Sequence, residues 1–111
     1  MKKVGIIRCQ QTEDMCSGNG CFKAAKASVG AFQTIDPVEI VGFVSCGGCP
    51  GKRAVTRAKR MVEQNGVAVV ALASCITKGT PIGFPCPFAE EIQEAIRRKI
   101  GENVQMLTYS H

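Results

Sequence analysis

Four short apolar runs alternate with three stretches of helical periodicity, and this alternation is the feature that most constrains the fold. The apolar runs have strand length and lie at 3–8, 38–44, 67–73 and 104–109. Strands that alternate with helices form parallel sheets joined by right-handed crossovers. The sequence therefore predicts an α/β fold with an open four-stranded parallel sheet in β-α-β-α-β-α-β order, a flavodoxin-like or Rossmann-like three-layer sandwich.

The helical stretches carry signals for where they begin and end. Gly66 and Gly101 follow the second and third stretches, where a left-handed residue commonly ends a helix. Pro50 and Pro87 stand before the same two stretches and are predicted as first helical residues. The first stretch is predicted over 22–32, although Gly30 interrupts it.

Length and composition predict a single domain over residues 1–111 with one hydrophobic core. The apolar run near the start of the sequence has only three large apolar residues before Arg8 interrupts it. Such a run is too short for the apolar segment of a signal peptide or for a membrane span, so we expect a cytoplasmic protein without membrane contact. The net charge of +5 comes with no Trp, one Tyr and five Phe, so few aromatic side chains are present to stack on bases. Nucleic-acid binding is therefore disfavoured.

Basic residues on the second helical stretch have two interpretations. Arg53, Arg57 and Arg60 share one face, which would attract an anionic partner or lie in solvent. The solvated face is the simpler interpretation. The loop 76–87 contains three prolines and the segment Lys78-Gly79-Thr80, and we interpret it as a rigid cover rather than a phosphate-binding loop, because no helix begins directly after that segment.

The cysteines are predicted to gather at one edge of the sheet. In a parallel sheet every strand-to-helix loop emerges at the carboxyl edge, where open α/β folds bind their ligands. None of the cysteines lies within a predicted strand or on an apolar helix face, which argues against core-filling roles. In a reducing cytosol, such clusters bind metal or do redox chemistry. The residues placed at this edge are Cys9, Cys16, Cys21, Cys46, Cys49, Cys75, Cys86 and His111.

The segment Cys46-Gly-Gly-Cys49 is the most specific motif. Its spacing lets two sulfurs reach one centre, and glycine permits close backbone approach. Cys49 and Cys86 each precede a predicted helix, where the dipole lowers the pKa of a thiol and favours the thiolate. With Cys9 and Cys75 from neighbouring loops, the motif supplies four soft ligands, the number that Zn²⁺ or an iron–sulfur cluster requires.

The remaining candidate ligands could form a second or bridged site. They are Cys16, Cys21, Cys86 and His111. A histidine at the end of a chain is more often solvated than a ligand. Taken alone, Cys75 is as easily a small buried hydrophobe as a ligand.

Four segments together resemble the CGGC-domain family over essentially the whole chain. They are CGGCPGKRAVTRAK at 46–59, IIRCQQTEDMC at 6–16, ASCITKGTPIGFPCP at 73–87 and the closing TYSH. The resemblance implies a small α/β domain that binds zinc through cysteine and histidine, with no defined activity. Carried onto this sequence, the implied metal ligands are Cys9, Cys46, Cys49, Cys75, Cys86 and His111. A single histidine tilts that set toward an all-sulfur site.

Three functions therefore stay open. The first is a metal-binding domain that holds Zn²⁺, or alternatively an iron–sulfur cluster, with the metal ion as its partner. The second is a thiol/disulfide oxidoreductase that uses Cys46 and Cys49, although the predicted element order lacks the antiparallel strands of thioredoxin. The third is a non-catalytic electron-transfer or partner-binding module.

Overall fold

Four parallel strands form one sheet in the order β2-β1-β3-β4 in the computed structural model, which describes residues 1–35, 37–79 and 83–111. The strands are β1 (Lys2–Arg8), β2 (Val38–Ser45), β3 (Val69–Leu72) and β4 (Gln105–Leu107). All three strand pairs are parallel. The predicted α/β class and parallel sheet are confirmed.

Four helices connect or follow the strands in the described part of the chain: α1 (Asn19–Ala27), α2 (Lys52–Asn65), α3 (Ser74–Thr77) and α4 (Ala89–Ile100). Two 3₁₀ turns, Gln10–Thr12 and Gly30–Thr34, flank α1. Gly66 ends α2 in the left-handed conformation with a φ of 66°, as predicted.

Helix boundaries differ from the sequence prediction in three places. The prediction of one helix over 22–32 was wrong, because Ser28 is left-handed at a φ of 55° and ends α1 early. Pro50 and Pro87 are not the first helical residues. Instead Gly51, with a φ of 92°, is the N-cap of α2, and Phe88 is the N-cap of α4. Within the loop 76–87, residues 80–82 and therefore Thr80 lie outside the described residues.

The helices cover both faces of the sheet. On one face, the Phe22 ring of α1 packs against Phe43 of β2 with their centroids 5.2 Å apart. On the other, Met61 of α2 lies over Gly5 and Gly42, where an added Cβ would come within 2.7 and 2.6 Å of its sulfur. Two adjacent glycines thus let α2 pack closely against the sheet.

The core lies between these layers and is continuous. Every residue of β3 is buried, as its uninterrupted apolar run predicts for a strand covered on both faces. Helices α2 and α4 pack beside each other and contribute Ala54, Ala58, Ile92 and Ile96 to the core. No helix within the described ranges has the length and apolar character that a bilayer crossing requires.

The strand order creates a switch point between β1 and β3. The chain leaves β1 toward β2 on one side, then crosses over to β3 on the other. Open α/β sheets bind ligands in the crevice outside the carboxyl ends of the two strands at such a point. Cys9 follows β1 and Cys75 lies in α3 directly beyond β3, so the fold brings cysteine loops to this crevice.

Candidate functional site

Cysteines from three loops surround a small cavity at the carboxyl edge of the sheet. Its volume is about 20 Å³, enough for one water molecule or one ion. We call the group of four thiols that lines it the cysteine cavity: Cys9, Cys46, Cys49 and Cys86. Apolar Ile76, Phe88 and Ile92 complete part of the wall.

The four thiols differ in their exposure. Cys46 is 7% exposed and forms the buried side of the cavity, whereas Cys9 and Cys86 are half-buried. Cys49 is exposed at the rim. Because Cys49 is exposed and Cys46 is buried, a molecule that approaches from solvent reaches Cys49 before it reaches Cys46.

Backbone amides point at the sulfurs of this region. The N–H of Cys9 donates to Cys75 Sγ at 3.2 Å, and the N–H of Gln10 donates to Cys46 Sγ at 3.5 Å. The backbone groups of Gln11 and Phe88 act to lower the pKa of the Cys9 and Cys86 thiols. Hydrogen bonds from N–H groups favour a negatively charged sulfur, which is the form that binds metal.

Arg8 holds the loop that carries Cys9. It is the last residue of β1, and its guanidinium donates to the carbonyl oxygens of Thr12 at 2.8 Å and Cys16 at 2.5 Å. The buried Thr12 hydroxyl in turn donates to the carbonyl of Cys9 at 2.9 Å. These bonds fold residues 8–16 into a closed turn. This role was not predicted from the sequence, although a charged residue at the end of an apolar strand is a signal for it.

Arg57 holds the loop that carries Cys46 and Cys49. Its guanidinium donates to the carbonyl oxygen of Ser45 at 3.0 Å and to the Ser45 hydroxyl at 2.8 Å. That hydroxyl also accepts the N–H of Gly47 at 3.2 Å. From the sequence, a solvated face is the simpler interpretation for this arginine. For Arg57 that interpretation was wrong, because the end of β2 lies beside the helix.

Burial raises the pKa of two thiols that line the cavity. For Cys9, burial is the main cause, the Gln11 N–H opposes it, and the nearby thiols of Cys46, Cys75 and Cys86 add to it. For Cys86, burial again comes first, with Phe88 opposing it and Cys49 among the groups that add to it. The prediction of a lowered pKa for Cys86 before a helix was wrong, since burial outweighs the opposing backbone group of Phe88.

Cys75 and His111 are not among the described residues that line the cysteine cavity. Cys75 lies in α3 and is 8% exposed, and its sulfur accepts the N–H of Cys9. His111 belongs to a second group, which we call the serine–histidine network: Cys21, Ser74, Ser110 and His111. Cys16 is in neither group, and its sulfur accepts the N–H of Gly18 at 3.4 Å.

The serine–histidine network is internally hydrogen-bonded, and its members are buried except for the exposed His111. Ser110 Oγ lies 3.1 Å from Cys21 Sγ and 3.0 Å from His111 Nδ1. Ser74 Oγ accepts the N–H groups of Ser110 at 3.3 Å and His111 at 3.0 Å, and donates to the His111 backbone oxygen at 2.8 Å. Cys21 lies on the buried face of α1, and Cys46 and Cys75 also belong to the core. The expectation that no cysteine fills the core was therefore wrong.

The donor set of the cysteine cavity fits a soft metal ion. Thiolate sulfur is the preferred ligand of zinc in closed sites, and four such groups meet its usual coordination number. As they stand, no three His, Cys, Asp or Glu side chains in residues 1–35, 37–79 and 83–111 are grouped closely enough to hold an ion. An ion in this cavity would require the cysteine side chains to turn toward it from their present positions.

Comparison with known proteins places the chain in a family. The CGGC domain family model matches residues 3–111. Uncharacterized protein MJ0582 of Methanocaldococcus jannaschii is 41% identical over 91 residues, which cover 78% of this chain and 68% of that protein. Uncharacterized protein MJ0766 of the same organism is 36% identical over 69 residues, which cover 62% of this chain and 98% of that protein. No solved structure matches the chain. The matched range includes all seven cysteines and His111, and the chain belongs to the CGGC-domain family.

Proposed function

We propose that this protein is a metal-binding domain that holds Zn²⁺ through Cys9, Cys46, Cys49 and Cys86. The observation that carries the proposal is that these four cysteines line one cavity at the switch point of the sheet. Compared with the four ligands expected from sequence, Cys86 takes the place of Cys75. Neighbouring thiols raise the pKa of Cys9 and Cys86. The positive charge of bound zinc would oppose this effect.

The size of the cavity favours a single ion over an iron–sulfur cluster. A volume of about 20 Å³ accommodates one ion once the side chains turn inward, whereas a cluster of several iron and sulfide atoms needs more space. The apolar contacts of Ile76, Phe88 and Ile92 would have to separate to admit it. Zinc is therefore the ion that we propose.

The test is elemental analysis of protein purified without oxygen, combined with thiol titration before and after chelation. We expect one zinc per chain, and about four thiols that react only after chelation, as in a closed four-sulfur site. Serine at Cys9, Cys46 or Cys86 should lower the zinc content. Cys16→Ser is the matched control, because Cys16 is half-buried at the same edge but outside the cavity lining, and it should keep its zinc.

A thiol/disulfide oxidoreductase is the second candidate, favoured by the unequal exposure of the motif's two cysteines. An exposed Cys49 beside a buried Cys46 suits an attacking thiol and a resolving thiol. In that reaction Cys49 thiolate attacks a substrate disulfide, and Cys46 then displaces the substrate as a thiol and leaves a Cys46–Cys49 disulfide. Absence of zinc together with reversible oxidation of one thiol pair would support this candidate and exclude the first.

A further inference from the structure

The domain has a substantial hydrophobic core of its own. Its core is continuous beneath the cysteine loops and includes fully buried Ile6, Leu72 and Ile96. Small zinc domains in which the ion is structural are unfolded without it, because they have little core of their own. This chain has the opposite arrangement, so an ion in the cysteine cavity is not needed to hold the fold together.

The cysteine loops are also closed by the protein's own hydrogen bonds. Arg8 and Arg57 bind the carbonyl oxygens of the two loops that follow β1 and β2. The third loop is fixed where the N–H of Cys86 donates to the carbonyl of Ile76 at 2.8 Å. A ligand can therefore leave the cavity while the loops keep their places.

The rim of the cavity is open on the side of Cys49. Gly47 and Gly48, with φ angles of 80° and 104°, precede it, and a Cβ built on Gly48 would meet only Gln10 Oε1 at 3.4 Å. A cleft of about 300 Å³ runs from Pro50 along α2 and α4, and another of about 350 Å³ begins at Cys86. An acceptor molecule has room to approach Cys49 and Cys86 from solvent.

From these observations we infer that the zinc is a cargo, which the domain passes to an acceptor thiol by ligand exchange that begins at Cys49; the inference rests on the proposed function. An acceptor thiolate forms a bond to zinc as the bond between zinc and Cys49 sulfur breaks. The released Cys49 thiolate takes up the proton that the acceptor thiol has lost. Repetition at Cys86, Cys9 and finally buried Cys46 completes the transfer, and no electron is exchanged.

The test begins with the metal-free protein and with zinc binding itself. Equilibrium dialysis gives the zinc content, and circular dichroism during heating shows whether the metal-free chain unfolds cooperatively. The zinc-loaded protein is then mixed with increasing glutathione in the presence of 4-(2-pyridylazo)resorcinol, whose colour reports released zinc. We expect a cooperative transition without metal and a release rate that rises in proportion to glutathione concentration.

Variants locate the first ligand to leave. Cys49→Ser should still bind zinc but release it about tenfold faster or more, since the loss of even an outer partner of a metal ligand weakens metal binding by about 10- to 100-fold. Cys46→Ser, which removes the buried ligand, should retain no zinc after dialysis, and Cys16→Ser should exchange like the unaltered protein. The variants separate the rim of the cavity from its buried side.

Three results would overturn the inference. One is a metal-free chain that is unfolded, and another is a release rate that does not change with glutathione and equals the rate of global unfolding; both would make the zinc structural while leaving the proposed function intact. The third is dialysis that finds no zinc in the unaltered protein, which rejects the proposed function and the cargo inference together.

Discussion

The cysteine cavity and the serine–histidine network lie at the same edge of the sheet, yet they place their cysteines in different environments. In the cysteine cavity, four cysteines line a small space and one of them, Cys49, is exposed. In the network, Cys21 is 4% exposed and its sulfur lies against the hydroxyl of Ser110, which is fully buried. The first arrangement lines a space that a ligand could enter, and the second holds the sulfur in a buried, hydrogen-bonded position. A cysteine's position on the sheet edge therefore does not make it a ligand.

Ser74→Val should give the largest effect on stability, and this effect should be confined to the serine–histidine network. The substitution removes the acceptor of the Ser110 and His111 N–H groups, and each unsatisfied N–H costs about 1–3 kcal/mol. We expect the free energy of unfolding to fall by about 3 kcal/mol in urea denaturation. Ser17→Val, at an exposed position, is the control. If Ser74→Val also abolishes zinc binding in folded protein, the two regions are not independent.

Arg57→Met should affect the cysteine cavity instead. It removes two hydrogen bonds from a charged donor to Ser45, which should lower the free energy of unfolding by about 2 kcal/mol. Because these bonds hold the loop of Cys46 and Cys49, zinc affinity should fall about 10- to 100-fold. Competition with a zinc chelator measures the affinity.

Arg60→Met, on the same helix but exposed, is the control for Arg57→Met and should change neither quantity. Unaltered zinc affinity in Arg57→Met would show that the arginine stabilises the fold without positioning the cysteines.

Alkaline pH should reveal the buried thiol of the network. Burial is the main cause that raises the pKa of Cys21 above its ordinary value of 9.0, and the Ser110 hydroxyl opposes it. The unfolded chain therefore loses this proton at lower pH than the folded chain. The stabilisation is complete below pH 9.0 and is lost as the pH rises through the raised value.

Urea denaturation of metal-free protein from neutral to alkaline pH measures this loss. Cys21→Ala should make the decline in the free energy of unfolding with pH shallower. Part of the decline should remain, because the pKa values of Cys9 and Cys86 are also raised. An unchanged decline in Cys21→Ala would mean that the network thiol does not contribute to it.

Gly20→Ala should have the smallest effect. A Cβ on Gly20 would come within 2.7 Å of His111 Nε2, so the exposed imidazole must turn away. We expect the free energy of unfolding to change by less than about 0.5 kcal/mol, as for other exposed side chains. The imidazole resonances in NMR should shift, and zinc content should not. Unshifted resonances would contradict the contact between His111 and α1.

The sheet could be predicted from sequence because its signals are local. The apolar run of β3 and the glycine that ends α2 each specify structure within a few residues. The position of Cys9 and Cys46 at strand ends follows from parallel topology in the same way. Periodicity and chain order therefore predict the edge at which these cysteines lie.

The grouping of cysteines within that edge could not be predicted, because it depends on how short loops turn. Cys75 lies in the single turn of α3, which directs its sulfur to the N–H of Cys9. Cys86 returns to the cavity because its N–H pairs with the carbonyl of Ile76, ten positions earlier in the chain. The partner of Arg57 was hidden for the same reason, since Ser45 belongs to another element.

Met61 connects the middle of the sheet to the depth of the cysteine site. Its sulfur occupies the space that side chains at Gly5 and Gly42 would fill, so these two glycines set the height of α2 above the strands. Because α2 begins three residues after Cys49, the Met61 contact helps to seat the helix that follows the CGGC motif, and a larger residue at either glycine must displace that side chain. The packing of the helix beside the cysteine site thus depends in part on two positions that carry no side chain.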